Sequence, residues 1–334
     1  MRRLIVQLPL LEALGAQWPE RRPTLTRILQ RSRPGHRTGS GSLESLLGLS
    51  QIPAAAVLSR LAASDKPAVD AAPSVAVDDG FWLRFDPVVQ VPDMTSVWLR
   101  EPAAVDLSSP GLKPLTDELA AMFEAQRMTW CRGLPVPFGL LCLDQACATD
   151  FSTLDDVLGR RLDEVLPTGS DAPRWRRLIN ESQMIFHQFR PLDQADQQGM
   201  GLWFWGGGRH FPAPLLREPL RIANPQRDCL VDGLARWLAS ANVENVEWVE
   251  KAAFSGRPGT TLLHWNPLGQ ALVDGLAELE QDWLAPAWHA LRRGRLDSLV
   301  LRGRDACHSL TRLDSIAFWR RGRRAIDTAA GDDS

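Results

Sequence analysis

The side chains able to do chemistry in this 334-residue chain are few and scattered. Its six histidines are His36, His187, His210, His264, His289 and His308, and none stands in an H-E-x-x-H or comparable metal spacing. Two-metal phosphoryl chemistry needs several carboxylates and imidazoles converging on ions about 4 Å apart. One carboxylate and imidazole pair, Asp305 and His308 in Asp305-Ala306-Cys307-His308, follows a strand-like run. The plainer reading is a loop whose polar groups are solvated or bonded locally. A serine nucleophile is available as Ser40 or Ser42 in Gly39-Ser40-Gly41-Ser42, but a G-x-S-x-G elbow must close a strand and open a helix. The flanks here are polar, which reads as a flexible turn. The acids Asp144, Asp150, Asp155, Asp156, Asp163 and Glu164 read as a solvated face or as helix caps.

The most individual segment is Trp203-Phe204-Trp205-Gly206-Gly207-Gly208-Arg209. A buried strand that stops at three glycines lets backbone N–H groups converge on one concavity, and Arg209 adds a planar pair of donors. Gly206, Gly207, Gly208 and Arg209 are therefore the candidate anion site, for a phosphate or a carboxylate. Neither nucleotide fingerprint, G-x-x-x-x-G-K-[ST] or G-x-G-x-x-G, is present. The competing reading is a tight turn that needs positive φ.

Composition removes other classes. Lys66, Lys113 and Lys251 are the only lysines and there is no tyrosine, so lysine nucleophiles have few candidates and a phenolic acid or base has none. Lys plus Arg total 38 against 40 Asp plus Glu, a net charge of -2 that gives no global reason to expect nucleic acid or an anionic membrane. Cys131, Cys142, Cys147, Cys229 and Cys307 form no C-x-x-C pair and read as reduced, mostly buried thiols. The apolar run after Met1-Arg2-Arg3 is cut by Gln7 and Pro9 and lacks a cleavage site, and no apolar stretch reaches the roughly 18 residues of a membrane span. The expected location is the cytoplasm.

The elements that must position these residues alternate. Leu4-Ile5-Val6 reads as a buried strand, residues 23 to 31 as a helix, and Leu43 to Leu47 as a short helix ending at Gly48. A stretch of Ala, Ser, Asp and Pro between residues 62 and 74 marks a boundary. Beyond it come strand-like runs at 81 to 85, 96 to 99 and 138 to 143, and helices at about 110 to 126 and 173 to 189, the latter with Asp171 as cap. After Pro219 the chain reads strand, helix, strand, helix, strand, with helices at 228 to 240 and 270 to 292 and strands at 261 to 265 and 299 to 301. Such alternation implies parallel strands joined by crossover helices.

The string L-W-F-W-G-G-G-R, preceded by R-W-R-R-L-I-N-E-S-Q-M-I-F-H, and the ending W-L-A-P-A-W-H-A-L-R-R-G-R-L-D-S-L-V-L with F-W-R-R, resemble the proteobacterial regulatory protein RpfE family. Members of that family are often labelled cofactor-independent phosphoglycerate mutases. A weaker likeness runs to the archaeal type of that mutase, in the alkaline phosphatase superfamily. The resemblance implies an α/β fold, a degenerate alkaline-phosphatase-like core with an inserted α/β domain. The core would comprise residues 1–65 and 215–325, the insertion residues 72–211, and the tail residues 326–334. Where the mutase would carry an Asp-Gly metal motif this chain has Leu8-Pro9-Leu10, and where it would carry Asp and His ligands it has Asn266-Pro267-Leu268-Gly269. Ser40, Ser42, Asp305 and His308 are what survives of its catalytic set.

The expected function is accordingly a non-catalytic regulatory or binding protein with the metal site lost and no cofactor. The alternative is a metal-dependent phosphomutase or phosphatase with rearranged ligands. The expected partner is a protein or a phosphorylated small molecule, with no membrane and no nucleic acid.

Overall fold

A computed structural model describes residues 1–8, 11, 23–36, 43–63, 80–102, 105–132, 134, 136–189, 199–252, 254, 257–266, 271–303 and 306–316. The first third holds β1 (Arg2–Gln7), α1 (Pro23–Arg31), β2 (Arg33–His36), α2 (Leu43–Leu47), α3 (Ala55–Ala63), β3 (Phe81–Pro92) and β4 (Val97–Pro102). The middle holds α4 (Lys113–Ala125), β5 (Met128–Trp130), β6 (Gly139–Leu143), β7 (Thr149–Asp150), α5 (Leu154–Val157), α6 (Leu162–Val165), β8 (Thr168–Gly169), α7 (Ala172–Gln188) and β9 (Gly199–Arg209). The last third holds β10 (Leu220–Ala223), α8 (Cys229–Ala241), β11 (Val246–Trp248), β12 (Gly259–His264), α9 (Ala271–Glu278), a π-helical turn (Leu279–Leu284), α10 (Ala285–Arg292), β13 (Ser298–Arg302), β14 (Ala306–Thr311) and α11 (Arg312–Ile316). The fold class is α/β.

These elements fall into two units, one made by the chain up to Ile52 and from Ala213 onward, the other by Pro53–Pro212. The first contains a seven-stranded sheet in the order β11-β10-β12-β1-β13-β14-β2. Its first five strands are parallel, and β14 runs antiparallel to both β13 and β2. Leu4, Ile5 and Val6 are all fully buried. A central parallel strand is covered on both faces, which is why the sequence there is a continuous apolar run instead of an alternation. Leu4, Val6 and Leu8 pack into one cluster with Leu25 and Ile28 of α1 and with Leu279, Trp283, Trp288 and Leu291. Glu280, in the π turn, accepts from the Thr24 backbone N–H at 2.8 Å and so caps the first turn of α1.

The second unit is built on β3. β9 pairs along one side of it, while β6 and β4 share the other side and β5 adds to β6. Residues two apart on a strand share a face. Phe85 stacks with Phe123 of α4, Trp130 and Phe204 at centroid distances of 5.2, 5.4 and 6.1 Å, and Trp175 of α7 completes the group at 5.2 Å from Phe204. Arg84 and Asp86 point the other way, toward Ser59 of α3. Burial of this aromatic set, at about 25 cal/mol per Å2 of apolar surface removed from water, is the main term holding the unit together.

Three local readings are corrected. The boundary falls before Pro53 and not in the 62 to 74 stretch, because α3 packs on β3 and β9 of the second unit. Asp171 does precede α7, but its carboxylate accepts from the Ala148 N–H at 2.9 Å and makes no cap bond to the helix. The run from 306 is a strand, β14, where a loop was expected. Its partners β13 and β2 are drawn from distant sequence, and Ala-Cys-His-Ser-Leu-Thr has one β-branched residue, at its very end, to mark it locally.

Candidate functional site

In an open parallel sheet the crevice for ligands lies beyond the carboxyl ends of the strands, where the strand order reverses. In the seven-stranded sheet the chain passes from β10 outward to β11, and from β12 the opposite way to β13. The reversal lies between β10 and β12. Asn224 follows β10 directly and Asp228 caps α8, so the short connection Asn224-Pro225-Gln226-Arg227-Asp228 forms one wall. The Asn224 side chain accepts from the Asp228 N–H at 3.0 Å and donates to the Asp228 carbonyl at 2.8 Å and to Asp232 Oδ1 at 2.7 Å. Asp228 Oδ1 accepts from the N–H groups of Leu230 and Val231 at 2.9 and 3.2 Å. Those bonds fix the carboxylate by the rules of helix capping and leave Oδ2 turned toward the neighbouring strand.

There it meets His264, the last residue of β12, with Oδ2 3.7 Å from Nε2. The imidazole is buried and the Asp228 side chain about one-third exposed. The arrangement is a carboxylate fixed by a helix terminus beside a buried imidazole at a strand end. At 3.7 Å the two are at ion-pair range and too far apart for a direct hydrogen bond, and a ligand group that donates hydrogen bonds could bind between them. Asp232, four residues on, adds a second carboxylate to the same wall through Asn224.

The ends of the central strands are different. Trp265 donates its backbone N–H to Gln7 and Leu8 donates to Arg302, so pairing continues past the strand ends. Leu8, Leu11 and Trp265 belong to the buried cluster described above, at 0%, 0% and 4% exposure. Leu8, the first residue of Leu8-Pro9-Leu10, is therefore a core side chain. Among the described residues, no three His, Cys, Asp or Glu side chains lie together as a set able to hold a metal ion.

The other expected site residues are dispersed. Ser40, Ser42 and Asp305 lie outside the described residues. His308 is in β14, and its Nδ1 is 3.1 Å from Ser32 Oγ, which itself donates to the Leu29 carbonyl at 2.9 Å. Ser32 Oγ thus sits between the His308 ring and the Leu29 carbonyl at the end of α1, a local hydrogen-bonded contact. Three strand steps, β12 to β1 to β13 to β14, separate His264 from His308. At about 4.8 Å per step that is roughly 14 Å, too far for a common ion.

Gly206, Gly207, Gly208 and Arg209 do not follow a strand; they are its end. β9 runs through Arg209, pairing Gly208 with Trp82 and Arg209 with Phe81, with a register shift at the glycines. Only Gly206 of the three has positive φ, at 66°. A β-carbon on Gly206 or Gly208 would stand 2.6 Å from the methyl of Ala55 or Ala54, and one on Gly207 2.9 Å from the Phe81 ring. The space that glycine leaves is filled by the start of α3 and by an aromatic ring, so the expected concavity is a packing contact.

The thiols read as expected in one respect. Burial pushes Cys131, Cys142, Cys147 and Cys307 up, with Arg60 partly opposing it at Cys131 and Cys142. The pairing of Asp228 with His264 went unread in the sequence. Asp228 is visible as a helix cap and His264 as a strand residue, but their meeting depends on β10 lying beside β12.

No family model matches the chain, and no curated protein matches it. Among solved structures, the cofactor-independent phosphoglycerate mutase from Thermoplasma acidophilum DSM 1728 aligns with 100% of this chain and 96% of its own, at 13% identity and a TM-score of 0.42.

Proposed function

We propose that the chain is a non-catalytic binding or regulatory protein on an alkaline-phosphatase-like scaffold of the phosphoglycerate mutase kind, related to the RpfE proteins. The observation that carries this reading is the packing at the carboxyl end of the central strands. Leu8, Leu11 and Trp265 are buried core side chains, and ionic ligands for phosphoryl transfer would need polar groups there, which supports the reading. The ligand of this reading is a protein or a phosphorylated small molecule, and Arg209, an exposed guanidinium of planar bidentate geometry, is the group proposed to meet it. The second reading, a metal-dependent phosphomutase or phosphatase, draws on Asp228 and His264 standing together where the strand order reverses. The test is metal analysis of the purified protein together with phosphoglycerate turnover in excess manganese. No bound metal and no turnover are expected. Turnover that disappears in both Asp228→Asn and His264→Ala would establish the second reading in its place.

A further inference from the structure

The opposite end of the seven-stranded sheet carries an arrangement that the proposed function does not use. α10 ends at Arg292, and the turn Arg293-Gly294-Arg295 leads back toward β13, with Arg292, Arg293 and Arg295 exposed. Thr311 pairs with Ser298, so Arg312, the next residue, lies beside that turn. Its guanidinium rests against Gly294: a β-carbon there would be 3.0 Å from Nη1. Four arginines thus surround one tight turn.

Three acids at this end are already engaged. Asp297 takes both the backbone N–H and the guanidinium of Arg2, Glu218 binds the chain's amino terminus at 2.8 Å, and Asp314 is buried against Arg33 and Thr311. Among the described residues none of the four arginines has a carboxylate partner. A helix carboxyl end accounts for one or two cations in its last turn through its dipole, but not for Arg295 and Arg312 beyond it.

Beside the arginines, α11 exposes two large aliphatic side chains, Leu313 at 78% and Ile316 at 49%. The sequence then continues Ala317-Phe318-Trp319-Arg320-Arg321-Gly322-Arg323-Arg324. Clustered arginine with adjacent leucine and isoleucine is the composition of a surface that meets anionic lipid: the cations seek headgroup phosphates and the aliphatics enter the acyl boundary. A nucleic acid backbone calls for the same cations but has no use for Leu313 and Ile316. No helix among the described residues is long and apolar enough to cross a membrane, so the contact is with the bilayer surface.

We infer that Arg292, Arg293, Arg295 and Arg312, with Leu313 and Ile316, form a docking surface for an anionic phospholipid bilayer. This runs against the expectation, from net charge, that no membrane is involved, because a local patch is averaged away in a total of -2. The test is co-sedimentation of the full chain with vesicles of phosphatidylcholine containing about a quarter phosphatidylglycerol, against phosphatidylcholine alone. The protein should pellet with the first and not the second, and should be released at about 1 M salt, where screening is nearly complete. Each arginine near such a surface carries about a fivefold share of binding, so the triple variant Arg292→Gln, Arg293→Gln, Arg312→Gln should lose on the order of 100-fold in partitioning. All three side chains are exposed, and an unchanged melting temperature checks that the fold is kept. The pair Leu313→Ser, Ile316→Ser should weaken vesicle binding while leaving retention on heparin unaltered. Equal pelleting with both lipids, or a triple variant that binds like the parent, overturns the inference. So does vesicle binding indifferent to the two serines, which would make this a general polyanion surface.

Discussion

Arg84 and Asp86 are two positions apart on β3, which puts both on the face toward α3, and both are nearly buried. The guanidinium meets the carboxylate in two bonds, of 2.8 and 2.7 Å, and a third donor reaches Ser59 Oγ at 3.0 Å. Trp205 Nε1 donates to the same carboxylate at 2.6 Å, and Phe138 lies 4.0 Å beneath the cation. Desolvation of such a pair roughly cancels its attraction, but removing one partner strands the other charge in the interior. Asp86→Asn should therefore cost about 3–5 kcal/mol, read as a lower urea midpoint at constant slope, while replacing both residues with apolar ones should recover much of the loss. A midpoint equal to the parent's for the single variant would show that water solvates the pair. Nothing in Arg-Phe-Asp announces this burial, since a charged residue in a strand reads as facing solvent. The same limit hid the meeting of Asp228 and His264: each residue's local role was readable, and their proximity was not.

Elements were legible in proportion to how local their causes are. Helix periodicity is written within a dozen residues, and α1, α2 and α8 came out at or within a residue or two of their expected bounds. The expected single helix from 270 to 292 is instead interrupted by the π turn at Leu279–Leu284, just ahead of Pro286. A proline has no N–H to return to the preceding turn, so the ladder widens before it and α10 starts afresh with the proline in its first turn. β2 and β14 were missed because each is defined by partners far away in sequence. β9 was seen but ended too early, since glycine reads as a breaker even where it admits a neighbouring helix. Gly207→Val should destabilise the second unit by pressing on Phe81 and Leu83, on the order of 1–3 kcal/mol. Arg209→Ala should leave stability nearly unchanged. Thermal shift against a panel of phosphorylated metabolites then tests Arg209 as a ligand group, because an Arg209→Ala protein that responds like the parent removes it.

At the scale of the whole molecule, alternation in the sequence was enough to give the α/β class, but not the order in which strands pair. The second unit is one continuous segment with its own sheet and aromatic core, so a chain of residues 53–212 should unfold in a single cooperative urea transition with near-ultraviolet signal from its tryptophans. Loss of that signal in the isolated segment would show that it cannot stand alone. Residues 1–52 have no such independence: β1 lies between β12 and β13, and without it the seven-stranded sheet loses its centre.

That central position has a consequence for how the protein is made. Arg3 pairs with Thr260 of β12 and with Ser298 of β13, so β1 leaves the ribosome about 260 and about 300 codons before the two strands it must join. At about 5–20 residues per second the wait is roughly 15–60 s, long against the sub-second scale on which hydrophobic segments collapse. The middle segment has time to fold during that interval. The apolar run Leu4-Ile5-Val6 has no strand partner until β12 is made, and in a cell that makes this nascent segment a ready client for a chaperone stationed at the tunnel exit.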